Sequence, residues 1–277
     1  MVERNHPFGR LVFDRDAIVR AALRAYVEAV LAGYPLQCRS FAASFYPRWL
    51  GDLQRGAFDN GNGSGDNDVV AWTEAGVVGL AFELGWGPIE RLGLSVDAVT
   101  GGPDDVRGAV PGLPAELEPA LVMAVRMLGD GNHGEKLAGV GFWLHGDRVA
   151  GTLFDDPTLC GGDRLAAWGL LRGGRLLPVH HADVAEFDRP EAAPIHAIID
   201  AVTARALVGP TELTTDELAT LLPKPPDPKQ LLLAQHKLQK VGVTWPGSPE
   251  IPPLPRPRNN PFTGKPFTEA ELERFIL

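Results

Sequence analysis

Residues 69–83 read VVAWTEAGVVGLAFE, and this stretch decides the fold class of the chain. Two runs rich in β-branched and aromatic residues flank the short connection EAG, which is the pattern of a β-hairpin. A second unit of the same kind follows at residues 139–155, GVGFWLHGDRVAGTLFD, with its turn at Gly146 and Asp147. The sequence therefore predicts a body rich in β-hairpins.

The two hairpins share a sequence pattern. Residues 77–83 and residues 149–155 both read Val, apolar, Gly, any residue, apolar, Phe, acidic. Strand sterics account for this pattern, with a small residue where another backbone approaches, a Phe in the core and a carboxylate at the exit. Phe82 and Phe154 are therefore predicted to be equivalent core residues. A third segment, residues 166–181, repeats the outline of a Trp-bearing strand, a turn and a second strand.

Two helices accompany the hairpins. Apolar residues at helical spacing predict an N-terminal helix over residues 17–32, with Asp16 as its N-cap and Gly33 at its end. A second helix is predicted between the hairpins, over residues 115–128 and closed by Gly129. Helices and hairpins in one region predict an α+β body.

Beyond residue 188 the hydrophobic pattern is helical only. A capping box from Thr214 to Glu217 opens one helix, and Pro228 stands at the first position of another. Residues 244–261, TWPGSPEIPPLPRPRNNP, are too rich in proline for a helix or a central strand. They are expected to run as an extended, polyproline-like arm.

The tail ends in a short helix, opened by a second capping box formed by Thr268 and Glu271. Because the final residues FIL need a surface to cover them, the tail is expected to dock on the protein's own body. The sequence thus predicts an α+β fold in three parts. These are an α+β body with two or three Trp-bearing hairpins at 1–187, a helical portion at 188–243, and a proline-rich arm with a short terminal helix at 244–277.

The chain is acidic and has few cysteines. Its 277 residues carry a formal net charge of -9 and a pI near 5.3, which disfavours binding to a nucleic-acid backbone and favours a basic or neutral partner. The first residues, MVERNHPFGR, mix both charge signs without an apolar run, so neither a secretory signal nor a membrane span is expected. Two cysteines without CxxC spacing suit a reducing cytoplasm, where the protein is expected to act.

The glycine-rich stretch at residues 57–72, AFDNGNGSGDNDVVAW, has a composition shared by calcium loops, phosphate loops and plain surface connections. An EF-hand that starts at Asn60 would need a bidentate Glu at its twelfth position, where Ala71 stands. A phosphate loop would need the ending GK[ST] and a following helix, and the sequence offers neither. The part of this stretch that precedes the hairpin strand at residue 69 is therefore expected to form a solvated Ω-type loop, and no metal and no cofactor is predicted.

A hydrolase or a metal-dependent enzyme is the alternative interpretation. It would use Asp66 with Asp68, the thiol of Cys160 or the region of His180. However, His180 and His181 are adjacent, so on a strand they point to opposite faces and cannot share a metal without distortion. Cys160 lacks the flanking signature of a nucleophile. The residues therefore favour binding over catalysis.

Two stretches carry a family resemblance. Residues 56–83, GAFDNGNGSGDNDVVAWTEAGVVGLAFE, resemble a segment of immunity-type and accessory proteins of bacterial polymorphic-toxin loci, in which a DNG and SGD stretch precedes a strand ending in aromatic and acidic residues. The C-terminal NNPFTGKPF, residues 259–267, is similar to an NPFTGxP tail of such proteins. The resemblance implies a bacterial cytoplasmic protein that binds and neutralises a cognate toxin.

The expected mechanism is occlusion of a protein partner by an acidic, Trp-bearing surface. The predicted partner is a basic toxin, and neither nucleic acid nor a membrane is expected to bind. The predicted contact residues are Asp59, Asp66, Asp68, Trp72 and Trp143. A second alternative is a scaffold subunit that docks through its proline-rich arm.

Overall fold

The structure is a computed structural model with an α+β fold, as the sequence predicts. It describes residues 1–6, 9–31, 42–46, 54–61, 67–82, 103–127, 140–154, 193–222, 228–248, 259–260 and 263–275. The strands in these stretches are β1 (Val2–His6), β2 (Gly9–Phe13), β3 (Ala42–Tyr46), β4 (Gly56–Gly61), β5 (Asn67–Thr73), β6 (Gly76–Phe82), β7 (Val140–His145), β8 (Arg148–Ala150), β9 (Thr211–Glu212) and β10 (Val243–Thr244). The α-helices are α1 (Arg15–Leu31), α2 (Pro103–Gly108), α3 (Glu118–Met127), α4 (Ala193–Ala206), α5 (Thr215–Leu221), α6 (Pro228–Gln239) and α7 (Glu269–Phe275).

The main sheet follows the order of the chain. Its strands run β3-β4-β5-β6-β7-β8, and every neighbouring pair is antiparallel. Two further pairs form separate small sheets, β1 with β2 antiparallel and β9 with β10 parallel. Both predicted hairpins are confirmed, with turns at Glu74 and Ala75 and at Gly146 and Asp147. Gly146 has a φ of 60°, which glycine adopts without a steric penalty.

The glycine-rich stretch contains a strand that the sequence did not predict. Residues 57–61 belong to β4, which pairs with β3 on one side and β5 on the other. The prediction that residues 57–61 belong to an Ω-type loop is therefore wrong; residues 62–66 lie outside the described part. Gly, Asp and Asn have low strand propensity. Pairing on both sides, together with burial of Ala57 and Phe58, outweighs that preference.

The predicted equivalence of the two hairpins fails after residue 150. The chain leaves the sheet at Gly151, whose φ is 136° and where a Cβ would overlap the carbonyl oxygen of Gly141. A 3-10 turn follows at Thr152–Phe154. Phe154 is therefore outside any strand, whereas Phe82 is the last residue of β6. Gly151 therefore lies where another backbone approaches closely, as predicted. The two phenylalanines are not equivalent, because one ends a strand and the other ends a 3-10 turn.

The main sheet is covered by helices on both faces. Because side chains alternate along a strand, Trp72 and Phe142 join a core that contains α1, whereas Val69 and Trp143 join a second core with α3. Helix α1 contacts the sheet and also contacts α4 and α6. Every residue of α1 from Ala21 to Glu28 is buried. This N-terminal helix is therefore an internal layer.

The start of α1 differs from the prediction. The Oδ1 atom of Asp14 accepts a hydrogen bond from the backbone N–H of Ala17 at 3.0 Å, so Asp14 is the N-cap. The assignment of this role to Asp16 is wrong by two residues. Asp16 lies instead in the first turn, where a carboxylate favours the helix dipole.

The helical portion shares a core with the body. Ile199 of α4 and Leu238 of α6 are fully buried and belong to the same cluster as the apolar residues of α1. The capping box formed by Thr214 and Glu217 opens α5 as predicted, and Pro228 begins α6. These local signals therefore place the helices correctly along the chain.

The first residues of the predicted arm do not extend from the body. Val243 and Thr244 form β10, and Trp245 is buried in the core that contains α1. Burial of the large apolar indole of Trp245 favours this packed conformation over the extended one that the prolines after it would favour. The proline-rich residues 249–258 lie outside the described part. At the end of the tail, α7 contacts α3 on the body.

Candidate functional site

The backbone places two of the predicted contact residues at the same end of the β4–β5 hairpin. Asp59 of β4 pairs with Val69, and Asp68 of β5 pairs with Asn60, so the two aspartates stand on neighbouring rungs of one ladder. Asp66 belongs to the connection between these strands and lies outside the described residues. We call Asp59, Asp66 and Asp68 the acidic hairpin end.

The strands that carry the acidic hairpin end are anchored in both cores. Phe58 of β4 and Val70 of β5 are paired and buried on the α1 side. Val69 is fully buried on the α3 side. The rings of Phe58 and Tyr26 meet edge to face, with their centroids 6.4 Å apart. These contacts hold the hairpin backbone in place up to the rungs of the two aspartates.

The two predicted contact tryptophans lie in the core. Trp72 is 0% exposed, and Trp143 is 2% exposed. The Nε1 of Trp143 donates to the carbonyl oxygen of Pro111 at 3.0 Å, and the guanidinium of Arg148 lies 5.3 Å from its ring centroid. Because strand alternation turns each indole toward a helix layer, neither is available for direct contact with a partner in this conformation. Their predicted surface role is corrected to a core role.

Most residues of the alternative enzyme hypothesis lie outside the described part, so the structure does not test it. Cys160, His180 and His181 lie outside it, as does the third predicted hairpin at residues 166–181. Within the described residues, His, Cys, Asp and Glu side chains form no group of three or more that could hold a metal ion.

A group of ionisable residues, not predicted from the sequence, lies between α1 and α4, and three of its four members are buried. Arg24 and Glu28 stand one helical turn apart on α1, and His196 and Asp200 stand one turn apart on α4. The Nε of Arg24 donates to Oδ1 of Asp200 at 2.6 Å, and its Nη1 donates to Oε2 of Glu28. The Nδ1 of His196 lies 3.6 Å from Oε1 of Glu28. We call these four residues the α1–α4 charge cluster.

Burial determines what this cluster can do. The side chains of Arg24 and Glu28 are 7% and 1% exposed, whereas that of Asp200 is 57% exposed. Removing a charge from water costs several kcal/mol unless good pairing offsets it. Arg24 offsets part of this cost by reaching a carboxylate on each helix, while its Nη2 is buried with no hydrogen-bond partner among the described residues. Arg24 therefore links α1 to α4 through an ion pair.

The sequence does contain a signal for this cluster. Arg24 and Glu28 interrupt the apolar run of residues 17–32 at a spacing of four. The same spacing is common on exposed helix faces, where such pairs stabilise by only a few tenths of a kcal/mol. The sequence therefore does not reveal that the Arg24–Glu28 pair is buried, because its burial depends on the packing of α4 against this face of α1.

The described residues of the tail stretch NNPFTGKPF, 259–260 and 263–267, are joined by backbone hydrogen bonds into a turn. The backbone N–H of Asn260 donates to the carbonyl oxygen of Lys265 at 2.8 Å, and the N–H of Gly264 donates back to the carbonyl oxygen of Asn260 at 2.9 Å. Gly264 has a φ of 65°, which favours glycine. Asn259 and Pro266 form an isolated β-bridge across the turn.

This turn is tied to α7 by a carboxylate. Oε2 of Glu271 accepts hydrogen bonds from the backbone N–H and the hydroxyl of Thr268, each at 2.8 Å, and Oε1 accepts from the amide of Asn260 at 2.8 Å. These hydrogen bonds lower the pKa of Glu271. The bond from the Thr268 backbone contributes most, and the bonds from the Thr268 hydroxyl and from Asn260 contribute less. The predicted capping box is confirmed. The NPFTGKP stretch thus joins a turn to a helix start.

The described part of the chain thus contains the acidic hairpin end, the α1–α4 charge cluster and the tail turn that is joined to α7. None of the helices described above has the length and apolar character that crossing a bilayer requires. Comparison with known proteins gives no match: no protein-family model, no curated protein and no solved structure matches this chain.

Proposed function

We propose that this chain is an immunity-type binding protein of the bacterial cytoplasm that neutralises a basic toxin by covering it, with the acidic hairpin end in the contact. The observation that carries the proposal is the β4–β5 register, which puts Asp59 and Asp68 on neighbouring rungs beside the connection that contains Asp66. No basic residue occurs between Phe58 and Trp72 to offset these charges.

Electrostatics gives this placement a role in association. Like charges grouped at one end of a protein steer an oppositely charged partner and raise its association rate at low ionic strength. The net charge of -9 adds a long-range attraction for a basic protein. A toxin that acts on nucleic acid needs a basic surface, and an acidic protein seated there would exclude the substrate.

A firm support makes the hairpin suitable for occlusion. Phe58, Val69 and Val70 anchor β4 and β5 in the two cores. A preorganised surface loses less conformational entropy on binding than a free loop does. The resemblance of residues 56–83 and 259–267 to proteins of toxin loci supports the same function.

The function is tested by identifying the genes that adjoin the gene of this chain and co-expressing the chain with a toxin candidate found there. We expect the chain to restore growth that the candidate alone stops, and the purified proteins to form a one-to-one complex in calorimetry. A candidate that remains toxic and does not bind would reject the immunity function for this pair.

The contact is tested with a variant that carries Asp59→Asn, Asp66→Asn and Asp68→Asn together. Loss of the three charges is expected to slow association about tenfold or more at low salt and much less at high salt, because salt screens the steering. The matched control is Asp147→Asn, which removes an exposed charge from the turn between β7 and β8 at the opposite end of the sheet. Equal association rates for the triple variant and the wild type would remove the acidic hairpin end from the contact.

A further inference from the structure

We draw no further inference here: the strongest candidate, the exposed face of α4 where Ala197, Ala201 and Ala204 form a row continued by Val208, is an apolar surface for which nothing among the described residues shows what covers it.

Discussion

Phe142 lies directly opposite Gly79 across the β6–β7 pair, and its phenyl ring fills the space that a Cβ at residue 79 would occupy. An aromatic ring laid over a glycine shields the exposed backbone and compensates for the missing side chain. The ring also meets Phe13 edge to face, with centroids 5.3 Å apart. Gly79 therefore allows Phe142 to connect the main sheet with the end of β2.

Gly79→Ala is expected to destabilise the protein by about 1–3 kcal/mol, because the new methyl group would displace the Phe142 ring. The measurement is the free energy of unfolding from a urea titration. Gly209→Ala is the control, since a Cβ there meets no atom within 4 Å. An equal effect of the two substitutions would show that the ring does not depend on the glycine.

Glu28→Gln is expected to destabilise the protein by about 3–5 kcal/mol, because it leaves the buried charge of Arg24 without its partner on α1. Asp200→Asn removes the other carboxylate that Arg24 contacts, but that side chain is 57% exposed. Its cost is expected to stay below about 1 kcal/mol. Urea titrations of both variants at neutral pH make the comparison. A larger loss for Asp200→Asn would mean that the Arg24–Asp200 pair, rather than the buried Arg24–Glu28 pair, contributes most to the cluster.

Glu217 is expected to make the protein sensitive to acid. Partial burial raises the pKa of this carboxyl, but the two hydrogen bonds from Arg205 at 2.9 Å and the bond from the Thr214 backbone outweigh burial and lower it. A lowered pKa in the folded state contributes stability above the unfolded pKa of about 4.3, and this stability is lost as the pH falls through the folded value.

Between pH 5 and pH 3, the wild type should therefore lose more unfolding free energy than Glu217→Gln does. Chemical denaturation at several pH values gives this difference. Asp216→Asn, at an exposed carboxylate one residue earlier on α5, is the control. A Glu217→Gln curve parallel to that of the wild type would contradict the role of the Arg205 pair.

Asn260→Ala is expected to loosen the tail turn, because the amide that joins it to Glu271 is lost. Loss of one hydrogen bond predicts roughly five- to tenfold faster hydrogen exchange at the backbone amides of Gly264 and Leu272. Asn259→Ala is the matched control, since the neighbouring Asn259 is exposed whereas Asn260 is buried. The same acceleration in both variants would show that the buried amide has no special part in the turn.

The sequence predicts those elements whose signal is local. The hairpins at β5–β6 and β7–β8 follow from strand-forming runs around a short turn, and the capping box at Thr214 places the start of α5 to the residue. The residues whose interaction defines each of these elements are only a few positions apart in the sequence. Tertiary packing only strengthens them.

Strand β4 and the α1–α4 charge cluster depend on distant partners, and the sequence did not predict them. The residues of β4 favour a turn on their own, and pairing with β3 and β5 makes them a strand. Arg24 and Asp200 are separated by 176 positions, so their contact follows from the packing of α4 on α1. The acidic hairpin end was predicted only in part. Its aspartates were identified from the sequence, but their positions on neighbouring rungs of the β4–β5 ladder follow only from the structure.

The position of α1 as an internal layer has a consequence for protein synthesis. Its outer face is covered by α4 and α6, which begin at Ala193 and Pro228. At 5–20 residues per second, the ribosome needs on the order of 10–30 s to pass from Leu31 to α4. During that time the side chains of Leu23 and Val27, fully buried in the finished protein, lack their final cover. The nascent chain is therefore expected to need a chaperone until its last third emerges, and a gene truncated before residue 193 should give an aggregating product.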